Sequence, residues 1–213
     1  MLPSNWNFQR VIVNLSFNLR NMKFILALGL LFLSAPNLFS QHTAEAATGA
    51  SKIKWMSFEE AFALHQTNPK KWLIDVSTEW CGWCKRMDQT TFSDSLIVDH
   101  VNANFYAVAL DGEFKGDIVI GDRTYSFVAQ GQRGYHELPA ELMNGKMSYP
   151  TIVFLGENLE NLSAVPGYKD APSFYQIVSF FETYHPTKNP ITWDDFSRAF
   201  VSPYPAPVEI GTN

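Results

Sequence analysis

The sequence predicts an α/β fold, a layered sheet with some parallel pairing, and three observations carry that expectation. Short apolar runs of buried-strand type, such as "KWLIDVS" and "FYAVALD", alternate with stretches of helical periodicity. With 213 residues, 46% hydrophobic and 15% aromatic, the chain can bury one sizeable core, and its length favours a single domain with appendages. Charged residues at 17%, with 12 glycines and 12 prolines, exclude a disordered or fibrous class.

Residues 1–46 read as an N-terminal extension and secretory signal. Met22-Lys23 precedes the apolar run "FILALGLLFL", and small residues follow at Ser34, Ala35, Ser40, Ala44, Ala46 and Ala47. A basic start, a short apolar stretch and small residues at a cleavage site make such a signal. The run is short for a bilayer span, so an uncleaved membrane anchor is the alternative. Residues 1–21 fit neither module, which leaves two readings, Met22 as the true start or an extended region ahead of the signal.

The first exported element is a helix in "WMSFEEAFALHQTNPKKW". Ser57 and Glu60 stand at capping-box spacing, Phe58, Ala61, Phe62 and Leu64 recur at helical spacing, and Asn68-Pro69 stops the element. "KWLIDVS" follows as a strand, "CGWCKRMDQTTF" as a helix, "LIVDHVNANF" as a second helical piece and "FYAVALD" as another strand. Between Gly112 and Tyr149 the pattern changes. Gly121-Asp122 separates two β-prone runs, a hairpin signal, and "ELPAELMNGK" reads as a short helix with Pro139 in its first turn and Gly145 beyond its end. Strand "TIVFLG", its partner "NLSAVPGY" and helix "APSFYQIVSFFETYH" complete the layer. Phe174, Ile177, Val178 and Phe181 form an apolar stripe on that last helix, which is core. The tail, residues 186–213, holds one short helix in "ITWDDFSRAF" and an extended or loosely docked end rich in proline.

No acidic residue precedes Glu45, whereas Arg10, Arg20 and Lys23 do. With those three set aside from the 16 basic residues, 13 face 21 acidic ones, a formal charge of −8. That balance argues against a nucleic-acid partner.

Cys81 and Cys84 are the only cysteines. A metal site would need further ligands, and His42, His65, His100, His136 and His185 are scattered, so no metal is expected. A structural disulfide at this spacing closes a very short loop and removes little unfolded-state entropy. A redox pair has more use for it. At a helix start the first sulfur meets unpaired N–H groups and the positive end of the dipole, which lowers the thiol pKa. The second thiol, one turn in, is placed to attack a mixed disulfide.

In these residues the sequence resembles the thioredoxin superfamily. "LIDVSTEWCGWCK" carries Asp75 on a buried-type strand and Trp80 directly before Cys81, and "SYPTIVFL" looks like the family's cis-proline strand, with Tyr149 before Pro150. "VPGY" resembles the segment holding a family glycine, here Gly167. The likeness spans 52–185, with 112–149 as an insert before the cis-proline strand. Lys85 and Thr91-Phe92-Ser93-Asp94 are similar to exported branches, notably the C-terminal periplasmic domain of DsbD-type electron carriers. Trp83 departs from thioredoxin's proline at that position.

The resemblance implies a thioredoxin-like fold, a central mixed sheet flanked by helices. It implies Cys81 as the attacking thiolate, Cys84 as the resolving thiol, and Asp75 as a buried general base. Trp80, Trp83, Tyr149 and Pro150 would contact substrate, Trp83 from an exposed position. It calls for no cofactor. The activity implied is reduction of disulfides or cysteine pairs in exported, periplasmic proteins, fed by a membrane thiol donor. The alternative is a non-catalytic binding or assembly module that keeps a structural disulfide.

Overall fold

A computed structural model of the protein describes residues 52–131 and 133–205. The expected signal or anchor and the last eight residues lie outside the described residues. No helix among the described residues is long and apolar enough to cross a membrane.

Helix α1 (Phe58–Thr67) opens on the capping box: Ser57 Oγ accepts the Glu60 N–H at 3.1 Å, and Glu60 Oε2 accepts the Ser57 N–H at 2.8 Å. Strand β1 (Trp72–Ser77) is buried along all but its last residue, as a near-continuous apolar run requires. It lies between β2 (Tyr106–Asp111), paired parallel, and β7 (Thr151–Leu155), paired antiparallel. Strand β8 (Asn161–Pro166) pairs antiparallel with β7, giving the order β2-β1-β7-β8. This is a thioredoxin-like mixed sheet flanked by helices.

Alternation along β1 divides the core. Trp72, Ile74 and Val76 face the cluster that contains Phe58 and Ala61 of α1. Leu73 faces the opposite cluster, with Met87 of α2 (Gly82–Thr90), Ile97, Val98 and Val101 of α3 (Ser95–Asn104), and Phe174 and Val178 of α5 (Ala171–Thr183). By the same period Asp75 points toward the α2 side. Its register partner Ile152 belongs to that cluster too.

The insert forms two hairpins and a helix. Strands β3 (Ile118–Ile120) and β4 (Arg123–Tyr125) are joined by Gly121, at φ 63, and Asp122, which stays out of the left-handed region. That is the primed turn with glycine first. Ile118, Ile120 and Tyr125 are buried in the α1-side cluster. The second hairpin, β5 (Phe127–Gln130) with β6 (Arg133–His136), was not legible in the sequence. Its run of small and polar residues around Gly131 gives no apolar alternation to read. Helix α4 (Glu137–Leu142) follows with Pro139 in its first turn, and the chain leaves it through Asn144 at φ 53 and Gly145 at φ 75.

Helix α5 is capped at both ends. Asp170 accepts the Ser173 N–H at 3.0 Å, and Lys71 Nζ donates to the carbonyls of Phe181, Glu182 and Tyr184. Helix α6 (Trp193–Ala199) sets Trp193 and Phe196 against Phe180 of α5. Beyond it, residues 202–205 have no helix or strand. Even so, Tyr204 donates its hydroxyl hydrogen to Asp94 Oδ1 at 2.6 Å, which ties this stretch to the start of α3. The hydroxyl and the cap carboxylate lie too far apart in sequence for a local pattern to pair them.

Candidate active site

The parallel β1 strand delivers the chain to the start of α2. Cys81 is the residue capping that helix, in extended geometry, with its N–H donated to the Thr78 carbonyl at 3.1 Å. The Cys81 sulfur stands where a cap oxygen would, and the Cys84 N–H points at it at 3.1 Å. No acidic residue occupies the first turn of α2, so no local charge offsets the positive helix end. Cys81 and Cys84 form a disulfide with Cα atoms 5.3 Å apart, and each residue is 4% exposed.

Asp75 lies behind the pair, on the sheet face that α2 covers. It is 7% exposed, and its Oδ1 has no hydrogen-bond partner. Burial pushes the carboxyl up to about 7, and the charge of Asp88 adds to the rise. The fold thus buries Asp75 within the sheet instead of leaving it solvated at a strand end. A second unpartnered polar atom, Thr78 Oγ1, is buried where β1 leads into the cysteine loop.

The cis-proline loop meets the cysteine loop from the other side. The Tyr149–Pro150 bond is cis, and the Pro150 carbonyl accepts the Gly167 N–H at 2.8 Å. The Tyr149 ring lies against Gly112 so closely that a Cβ there would strike it. Gly112 in turn donates to the Ser77 carbonyl at 2.8 Å and accepts from the His136 N–H at 2.9 Å, linking β1, the insert and Tyr149. Burial, then the charges of Glu113 and Asp111, push the Tyr149 hydroxyl up to about 12.

Aromatic rings rim the disulfide. Trp80, 53% exposed, meets Tyr149 edge to face at 5.8 Å, and Trp83, 60% exposed, tilts against Tyr168 at 5.5 Å. The fold thus gathers Asp75, Trp80, Cys81, Trp83, Cys84, Tyr149 and Pro150 into one region, where the sequence had put them in two distant segments. Sequence reasoning missed Tyr168, Asp88 and Arg133. Tyr168 stood inside the "VPGY" segment without a role. Asp88 sits four residues after Cys84, the spacing that shares a helix face. Arg133 had no signal, because the hairpin that carries it was not legible.

Histidines take up other work. His65 Nδ1 accepts the Trp72 Nε1 hydrogen at 3.0 Å, His136 is fully buried at the start of α4, and His100 pairs with Glu182 at 3.1 Å. Among the described residues no three His, Cys, Asp or Glu converge as a metal site would.

Together these features define a thioredoxin-fold protein with an oxidised Cys-x-x-Cys at the head of its second helix. The chain belongs to the Thioredox_DsbH family, described as "Protein of unknown function, DUF255", which matches residues 40–186. Among solved structures it is similar to a DsbH oxidoreductase, at 17% identity and a TM-score of 0.46, covering 71% of this chain and 96% of that one. A putative disulphide-isomerase from Bacteroides thetaiotaomicron is 26% identical, with a TM-score of 0.46 and coverage of 64% and 98%. The oxidised C-terminal domain of DsbD from Neisseria meningitidis is 14% identical, with a TM-score of 0.39 and coverage of 60% and 91%. No curated protein matches the chain. The family and the disulfide make thiol–disulfide redox chemistry the general class of function.

Proposed function

We propose that the protein is an exported thiol–disulfide oxidoreductase that reduces disulfides of other exported proteins. The observation that carries this reading is the Cys81 sulfur held as the cap of α2, facing the Cys84 N–H, with an unpartnered carboxyl buried on the sheet beneath. In the reduced protein that N–H and the helix end favour the Cys81 thiolate.

Cys81 attacks one sulfur of a substrate disulfide, forming a mixed disulfide while the other substrate sulfur leaves as a thiolate and takes up a proton. Asp75, titrating near neutrality, accepts the Cys84 proton through water. The Cys84 thiolate then attacks the Cys81 sulfur, closing the Cys81–Cys84 disulfide and releasing the second substrate thiolate, which is protonated. Two electrons and two protons have moved from the protein dithiol to the substrate. A membrane-bound dithiol carrier returns them. Trp80, Trp83, Tyr149 and Pro150 border the path along which an extended substrate reaches Cys81.

The test is the equilibrium reduction potential of the pair in glutathione or dithiothreitol buffers. A value of roughly −270 to −200 mV supports a reductase, and one near −120 mV makes the protein a disulfide donor. A potential well below about −300 mV leaves a binding module with a structural disulfide.

A further inference from the structure

Besides Tyr149, the insert brings a second side chain, Arg133, to the tryptophan that precedes the disulfide. At the tip of the β5–β6 hairpin, Gln130 pairs with Arg133 across a turn that starts at Gly131, φ 62. The base of the hairpin is pinned in three places. His136 N–H bonds the Gly112 carbonyl at 2.9 Å, Glu137 N–H bonds the Ser126 carbonyl at 3.0 Å, and Glu137 Oε2 accepts the Ser126 N–H at 2.9 Å. Gly134 lets the backbone pass beneath the Phe127 ring, where a Cβ would collide. An anchored base and a short hairpin fix where the tip lies, and the Arg133 guanidinium sits 5.0 Å from the centre of the Trp80 ring.

Trp80 is the residue before Cys81, so this guanidinium sits on the side chain that directly precedes the attacking cysteine. Among the described residues no carboxylate forms an ion pair with it. The ion pairs formed among the described residues, His100–Glu182, Arg123–Glu141, Lys188–Glu157 and Arg198–Asp195, leave it out. Glu137, the nearest acid in sequence, accepts the Ser126 N–H, and Glu79, next to Trp80, is exposed and forms none of these pairs. Across the cysteine helix, Arg86 lies 5.8 Å from the centre of the Tyr168 ring, whose hydroxyl is hydrogen-bonded to Thr90. Stacking on an aromatic face leaves the planar edge of a guanidinium, with its forked N–H donors, free for a carboxylate.

We propose that Arg133, seated on Trp80, forms a carboxylate-binding subsite that selects substrates with an aspartate or glutamate next to the reacting cysteine. The proposal rests on the pair exchanging with substrate disulfides. Occupation of the subsite orients the substrate sulfur toward Cys81 and gives the insert a role in specificity. The overall negative charge of the exported part would otherwise repel such substrates at long range, so the attraction is local.

The experiment is single-turnover reduction, by the pre-reduced and desalted full chain, of disulfide peptides that differ only beside the cysteine: Asp/Glu, Asn/Gln or Lys. At low salt the acidic peptide should react about 5-fold faster than its amide counterpart, and the ratio should shrink toward one as salt screens the pair. Arg133→Gln should bring the ratio to about one, Arg133→Lys should keep part of it, and Arg133→Glu should turn the preference toward the lysine peptide. Equal rates for all peptides, or a ratio unchanged in Arg133→Gln, overturn the subsite. Failure to reduce any peptide sinks the redox reading instead. In that event non-reducible thioether analogues, titrated by tryptophan fluorescence, still decide the subsite. Tighter binding of the acidic analogue that vanishes in Arg133→Gln supports it, and equal binding overturns it.

Discussion

Trp80 and Tyr149 meet edge to face, their ring centres 5.8 Å apart and their planes at 82°, so that the cysteine loop and the cis-proline loop share one wall. Tyr149 cannot retreat, since its ring also covers Gly112. Tyr149→Ala removes both contacts and should cost about 1–3 kcal/mol in urea unfolding of the oxidised protein. It should also raise KM for peptide disulfides more than it lowers kcat. Tyr149→Phe keeps the ring and should stay near wild type in both measurements. Gly112→Ala should reproduce the KM effect by pushing the ring off Trp80, and a wild-type KM there would deny the wall a role.

Removal of either sulfur separates the two thiols by their roles. Cys81→Ser should abolish disulfide reduction. Cys84→Ala should retain attack but not release, so mixed disulfides should accumulate on non-reducing gels and disappear with dithiothreitol. Adducts on Cys84 in the Cys81→Ser protein, in place of adducts on Cys81, would reverse the assignment.

Asp75 gives the oxidised protein a pH dependence whose sign follows from its burial. Its folded-state pKa, about 7, lies above the ordinary 3.8, so the group favours the folded state fully below about pH 4 and loses that contribution as pH rises through 7. The difference corresponds to roughly 4 kcal/mol as an upper figure. Asp75→Asn should therefore stabilise the oxidised protein by about 2–4 kcal/mol at pH 8, less what burying the amide costs, and by almost nothing at pH 4. Urea midpoints across that range measure it. The same variant should slow resolution of the mixed disulfide at neutral pH by on the order of 100-fold, through loss of the base.

Lys71 stands at the start of β1 yet caps α5, with Nζ 2.6–2.9 Å from the Phe181, Glu182 and Tyr184 carbonyls. Lys71→Met keeps the stem and removes the donors. It should cost about 1–3 kcal/mol, because carbonyls at a helix end lose a charged partner. The reduction potential should not move, since the α5 C-terminus is remote in the chain from the cysteine helix. Denaturant midpoints and redox titration of the one variant test both statements.

Much of this molecule could be read from the chain alone. The Ser57–Glu60 cap, the buried run of β1, the Gly121-Asp122 turn and the stripe on α5 follow from local spacing, and each forms as that spacing requires. Cys81 and Cys84 were nameable from their spacing at a helix start, whereas Asp75 and the Tyr149-Pro150 pair were nameable only through the resemblance to the thioredoxin superfamily. The docking of Tyr204 on Asp94, the seat of Arg133 on Trp80 and the contact of Tyr168 with Trp83 had no such signature. They join residues far apart in sequence, on loops or hairpin tips where polar composition carries no period.

Apart from the β5–β6 hairpin, the sequence by itself determined the elements, their order and the chemical identity of the pair, since helix caps, strand burial and thiol spacing are local properties. Only the tertiary structure decided the environment of that pair. It put an unpartnered carboxyl beneath the sulfurs and set a tyrosine against Trp80. It also brought the Arg133 guanidinium from the insert onto Trp80 at the edge of the site. Desolvation, ring contact and charge proximity depend on distances through space, and those exist only once the sheet has closed.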